Sequence, residues 1–154
     1  IIGFNYGARK YNRLKRAYWL SVLAATIVTT VGCLVAQLVP HWIARAFTVD
    51  AELINNTSTA LRIAMLIFWA VGFQIVSTNY FQSLGMAGKS IFLSLTRQIL
   101  FLLPLIFIFS KIWGLTGIWV AYFTSDLIAT VITAIMIMFQ MRKINKLAAT
   151  MPNE

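Results

Sequence analysis

Residues 90–141, SIFLSLTRQILFLLPLIFIFSKIWGLTGIWVAYFTSDLIATVITAIMIMFQM, hold two apolar runs joined by a short turn. Each run carries one interior charge, Arg97 in the first and Asp126 in the second. A charged side chain at the centre of a membrane helix costs at least about 2.5–3.5 kcal/mol. It survives where it faces protein or a water-filled path. The stretch therefore reads as a helical hairpin in a bilayer, with spans over 90–109 and 118–141 and a turn at 110–117. Pro104 interrupts the first span and is expected to kink it, because proline lacks an N–H and frees a carbonyl that must find another donor.

The rest of the chain agrees with a bilayer. Hydrophobic residues make up 60% of the 154 and charged residues 11%, with a mean hydropathy of +0.80. Soluble domains run about 45–50% apolar and about 25% charged, so this chain has too little polar surface to coat a soluble globule. Residues 19–39 and 61–80 supply two more spans, each near the roughly 20 residues that cross the hydrocarbon core. The fold class is all-α, a polytopic transmembrane helix bundle of four spans.

The net charge of +9 is distributed by side rather than along a groove. Arg9, Lys10, Arg13, Lys15, Arg16, Lys89, Arg142, Lys143 and Lys146 flank one side, against Arg45, Arg62 and Lys111 on the other. This positive-inside bias places both ends in the cytoplasm of an inner (plasma) membrane and argues against a nucleic-acid partner. Residues 1–16 are expected as a basic loop with a short surface helix over 8–16, and 142–154 as a polar, fraying tail. The opening on Ile1 suggests a piece of a longer chain, and the first apolar run is too long for a signal peptide.

Residues 40–60 form the outer loop, with Thr48 as the expected cap of a helix whose first turn holds Asp50 and Glu52. His41 and these acids read as a solvated loop rather than a metal site, and the lone Cys33 offers neither disulfide nor metal cluster. In the first span, Thr26, Thr30, Cys33 and Gln37 make a mildly polar face suited to a neighbouring helix. In the second, Gln74, Thr78 and Gln82 repeat every four residues with Asn79 beside them. Such a face serves a substrate path or interhelical hydrogen bonds. In the last span, Tyr122, Asp126, Ala129 and Thr133 share a face.

Counted from the cytoplasmic flanks, Arg97 lies about 12 Å deep and Asp126 about 24 Å deep. A direct pair therefore requires tilt, helix offset or a bridging water. Gln74, about 22 Å deep, matches Asp126 better. A carboxylate at that depth is suited to carrying a proton or a conformational signal. No nucleophile–base constellation, histidine pair or glycine-rich phosphate loop suggests an enzyme, and no cofactor is expected.

Four stretches, IIGFNYGARKYNRLKRA, YFQSLGMAGKS, LSLTRQILFLLPL and GLTGIWVAYFTSD, resemble in order the C-terminal part of multidrug and toxic compound extrusion (MATE) transporters, nearest the DinF-type branch. The resemblance implies the last four of twelve spans, in the second of two six-helix bundles. It also implies a prokaryotic exporter of cationic or amphipathic organic compounds, working by alternating access in exchange for protons or, less in keeping with this chain, sodium. The first bundle, outside this chain, would carry the main coupling acid. The sodium-type branch has further carboxylates in the second bundle, where residues 61–80 hold none. Phe123 replaces a proline common in relatives, which speaks against unwinding there. On this reading Gln74, Asn79 and Tyr122 face the cleft, Asp126 and Arg97 stabilise one state, and Pro104 permits bending. The alternatives are a lipid-linked oligosaccharide flippase of the same superfamily and a non-transporting scaffold subunit.

Overall fold

The computed structural model describes residues 1–150. Those residues form helices α1 (Ile2–Gly7), α2 (Tyr11–Leu38), α3 (Pro40–Arg45), α4 (Ala51–Ala64), α5 (Phe68–Ser83), α6 (Ala87–Leu95) and α7 (Leu103–Ala149). A π-helical segment, Thr96–Leu102, links α6 to α7. Within α7 only Gly114 leaves helical geometry, at φ 58° and ψ −133°. The chain reverses there. Arg97 and Asp126 are 29 residues apart yet in contact, whereas a straight helix would separate them by about 43 Å.

Burial is inverted relative to a soluble protein. Gln74, Ser77, Thr96, Ser125, Asp126, Thr133 and Gln140 are buried, while Leu23, Val28, Phe107, Ile112 and Phe139 point outward. Only hydrocarbon makes that arrangement favourable, since outward leucines cost nothing there and inward polar groups must pair with one another. By length and composition α2 can cross a membrane, as can the helical stretch from Ala87 to Ala149, which Gly114 folds into two arms. The pair α4 and α5 does so as one helix bent by 54°.

Several boundaries differ from the sequence expectation. No separate basic helix covers 8–16. Instead α1 ends at Gly7, the chain turns through Arg9 at φ 59°, and α2 begins at Tyr11. The cause is packing: Tyr11, Leu14 and Tyr18 lie on one helical stripe that enters the main apolar cluster, so helix extends through the basic residues. The segment 40–60 is largely helical, as α3 and the first part of α4. Asp50, not Thr48, is the cap, its carboxylate accepting from the backbone N–H of Glu52 and Leu53 at 2.9 and 3.2 Å. Thr48, two residues earlier, accepts from the Asp50 N–H and so holds the turn that leads into the cap. Of the tail, helix continues through Ala149, carried by the buried Ile144, and 151–154 lie outside the described residues.

The second span breaks between Ala64 and Phe68, where the sequence has neither glycine nor proline. Its carbonyls are met from α2. Gln37 Nε2 donates to Arg62 O at 2.8 Å, Cys33 Sγ to Met65 O at 3.1 Å and Thr29 Oγ1 to Trp69 O at 3.1 Å. Cys33 and Gln37 of the expected polar face thus pack on a neighbour, but Thr29 completes the row at four-residue spacing in place of Thr26 and Thr30.

Helices α2 and α5 lie close together at Gly72, where an added Cβ would lie 2.7 Å from the Ala25 carbonyl oxygen. Gly72→Ala is expected to destabilise the full-length protein by about 1–3 kcal/mol, because backbone must move. Gly32→Ala, meeting only the Phe68 ring at 3.4 Å, should be neutral or stabilising. Melting curves of the two variants in detergent check this, and equal midpoints would refute it.

The apolar cluster (Tyr11, Leu14, Tyr18, Tyr80, Phe81, Leu93, Ile137, Ile144) sits at one end of the bundle. There Lys89 Nζ donates to Gln140 Oε1 and Lys15 Nζ to Asn145 Oδ1. The bundle is closed by carbon at that end and lined with polar groups farther in.

Candidate functional site

Arg97 belongs to the π-helical segment that ends just before Leu103-Pro104. Proline cannot donate to the Leu100 carbonyl, and its ring would crowd that carbonyl in an α-turn. A wider π-turn relieves the crowding, and such segments recur at functional positions. Pro104 is therefore associated with a local widening of the helix.

The widened turn aims Arg97 at the last arm of α7. Its Nε donates to Asp126 Oδ1 at 2.7 Å and Nη2 to Oδ2 at 3.3 Å, a two-pronged pair. Ser125 Oγ donates to the Arg97 carbonyl at 2.8 Å, tying the arginine's backbone to the same level. The pair is direct, although depth counted along each span alone sets the two residues about 12 Å apart. Residues 89–97 on one arm lie against residues 125–140 on the other, as Ser125–Arg97 and Lys89–Gln140 mark. Which residues of the two arms meet is set by how the arms pack, and counting along each alone could not show that.

Gln74 meets Asp126 from the other side, as its depth suggested, but through the backbone. Its Nε2 donates to the Asp126 carbonyl at 3.0 Å and to Thr130 Oγ1 at 2.6 Å. Thr130 in turn donates to the Asp126 carbonyl at 2.7 Å. Three helical elements (the π-segment, α5 and α7) thus converge on one residue. Asp126 is 10% exposed and Arg97 34%, so the carboxylate is nearly enclosed while the guanidinium keeps one side open.

A cavity of about 380 Å³ opens on that side, lined by Arg97, Asp126, Tyr122, Trp119 and Phe68. Across Arg97 a smaller cavity of about 170 Å³ is lined by Gln74, Thr78, Asn79 and Gln98. Tyr122 therefore shares a cavity with both members of the ion pair. Asn79 does not touch it and is exposed on the far cavity. The last span is helical through Phe123, as the missing proline implied.

Sequence reasoning passed over Thr130, Trp119 and Phe68. Thr130 lies one helical turn beyond Asp126 and could have been found by that spacing. Trp119 and Phe68 carry no signal, because any apolar span contains aromatics. Among the described residues no three His, Cys, Asp or Glu side chains gather into a metal site.

Comparison with known proteins gives the family. The MatE family model matches residues 1–108. The chain is 24% identical over 140 residues to "Multidrug export protein MepA" of Staphylococcus haemolyticus, covering 90% of this chain and 29% of that protein. It superimposes on the MATE multidrug transporter DinF-BH, solved in complex with rhodamine 6G, with TM-score 0.86 and 35% identity, over 93% of this chain and 32% of that one. An inward-facing MATE family transporter also matches, with TM-score 0.85 and 21% identity over 98% of this chain and 35% of that one. The chain spans about a third of the length of these relatives. With its transmembrane helices and enclosed polar seam, this chain belongs to the MATE family of efflux transporters.

Proposed function

We propose that these helices form part of the second bundle of a DinF-type, proton-coupled drug antiporter, with both described ends on the cytoplasmic side. The observation that carries the reading is the two-pronged Arg97–Asp126 pair beside an aromatic-lined cavity, set inside helices that otherwise face lipid. Gln74, Asn79 and Tyr122 would face the transport path. Asp126 and Arg97 would stabilise one of the two access states, and the π-turn before Pro104 would give the third span room to flex.

The chemistry follows from the pair. A carboxylate held by a guanidinium in a low-dielectric site is stable only while both charges are present. Protonating Asp126, or bringing an organic cation against it, would loosen Arg97 and with it the packing of the third span on the fourth. Trp119, Tyr122 and Phe68 suit the flat faces of amphipathic cations such as rhodamine 6G. Sodium coupling through this bundle has less support, since α5 carries Gln74 and no acid.

The test is rhodamine 6G efflux from cells expressing the full-length parent. Efflux abolished by a proton uncoupler and indifferent to sodium is the expected result. Sodium-dependent efflux would refute the proton reading. Absence of efflux for any organic cation would favour lipid-linked oligosaccharide transport instead.

A further inference from the structure

Arg97 borders two cavities, and only one of them holds its partner. Its Nε and Nη2 engage Asp126, so part of the guanidinium's fan of N–H donors has no partner among the described residues. The other cavity, about 170 Å³, lies between α5, α6, the π-segment and α7. Its floor is buried yet polar, with Gln74 5% and Thr133 3% exposed. Gln74 uses its Nε2 on the Asp126 carbonyl and Thr130, and its Oε1 accepts from no described residue. Thr133 donates to the Ala129 carbonyl and keeps its own lone pairs free. Thr78, Asn79 and Gln98 complete the wall with further acceptor oxygens. Unfilled acceptors inside a membrane bundle are costly, and these surround a space that Arg97 itself lines. That space is several times the roughly 30 Å³ share of one water molecule, enough for a planar guanidinium.

The cavity of about 380 Å³ has the opposite character, with Phe68, Trp119 and Tyr122 around Asp126. An organic cation suits those rings, but Arg97 already holds the carboxylate and repels a second positive charge. Among the described residues that line the two cavities, Arg97, Asp126 and Tyr122 are the only titratable groups. Lys89 of α6 is held by Gln140, and Tyr80 of α5 lies in the apolar cluster.

We propose that Arg97 has two seats: on Asp126, as in this structure, and in the polar cavity of Gln74, Thr78, Asn79, Gln98 and Thr133 once Asp126 is neutralised or takes an organic cation as its counter-ion. The second seat rests on the reading of Asp126 and Arg97 as the pair that stabilises one access state, and it is the place the arginine takes in the other. It offers hydrogen bonds but no countercharge, so Arg97 stays on Asp126 until that carboxylate is neutral or otherwise paired. Both cavities border the same side chain, so the exchange requires only rotamer changes at Arg97. Its departure clears the aromatic cavity of the charge that would repel a cationic substrate.

The experiment is a mutant cycle on the full-length parent in detergent, read by melting midpoint. Thr78→Leu fills the second seat without touching Asp126. In the parent, with Arg97 on Asp126, it should shift the midpoint by less than about 1 °C. In Asp126→Asn, where the arginine needs its second seat, it should lower the midpoint by about 3 °C or more. In Arg97→Gln/Asp126→Asn, which has no guanidinium to seat, the shift should be small again. Thr78→Ser, which keeps the hydroxyl, should be silent in all three. An equal drop from Thr78→Leu in every background would mean plain overpacking, and no drop in any would mean that Arg97 never uses the cavity; either result overturns the proposal. Rhodamine 6G binding, measured by fluorescence polarisation, separates the seat from the drug-export reading. Thr78→Leu should weaken dye binding about tenfold in the parent, because the competent state becomes rare, and leave it unchanged in Arg97→Gln. Equal weakening in both would put the dye on Thr78 itself and overturn the exchange. A parent that binds no dye while the melting cycle holds would refute drug export and leave the second seat standing.

Discussion

Asp126→Leu in the full-length parent is expected to abolish efflux and lower the amount of folded protein in the membrane. The carboxylate is nearly enclosed, and its loss strands the Arg97 guanidinium in the bundle. Removing one partner of a buried ion pair costs about 3–5 kcal/mol. Arg97 is a third exposed, so water reaches part of it and the cost falls toward the lower end of that range. Asp126→Asn keeps the shape and one acceptor, so folded protein should persist while drug resistance falls. The combination Arg97→Leu/Asp126→Leu leaves no stranded guanidinium and should recover membrane levels lost in Asp126→Leu without restoring transport. Quantitative blotting beside resistance assays separates the two effects. Normal resistance in Asp126→Asn would show that the pair is structural only.

Gly117→Val should lower folded protein by a similar amount, with no direct effect on the ion pair. Beyond the reversal at Gly114, Gly117 packs against the Phe109 carbonyl so tightly that no Cβ fits, and the Ser110 nitrogen lies 3.0 Å from where one would stand. The obstacle is the Phe109–Ser110 peptide group, which cannot rotate away as a side chain can. Gly114 itself occupies a backbone region that L-residues avoid, a strain of about 1–3 kcal/mol for any side chain. That strain would penalise a substitution at Gly114 and not one at Gly117, where overpacking against backbone alone puts Gly117→Val at the upper end of about 1–3 kcal/mol. A drop in melting temperature measured by fluorescence-detected size exclusion checks it. An unchanged midpoint would mean that the two arms can separate without loss, which would contradict the close reversal.

Much of the architecture was legible from residue order. Hydropathy marked the helices, and the two interior charges marked the polar seam. The spacing of Gln74 and Asp126 from the flanking cations placed them at one level. These features are local: composition and periodicity determine whether a segment prefers lipid, and which of its faces does not.

Other features came from tertiary structure alone. The break between Ala64 and Phe68 has no glycine or proline to announce it. It persists because Thr29, Cys33 and Gln37, on a different helix, donate to carbonyls at and around it. The extension of α2 down to Tyr11 depends on Leu14 and Tyr18 finding Tyr80 and Phe81 across the bundle. Pro104 signalled a disturbance, but whether helix bends or widens depends on what lies opposite, and here Ser125 and Asp126 hold the widened turn. The Arg97–Asp126 pair itself was decided by how the two arms pack. Residue order gives depth along a helix axis, while contact between helices depends on the angle at which the axes cross, and packing sets that angle.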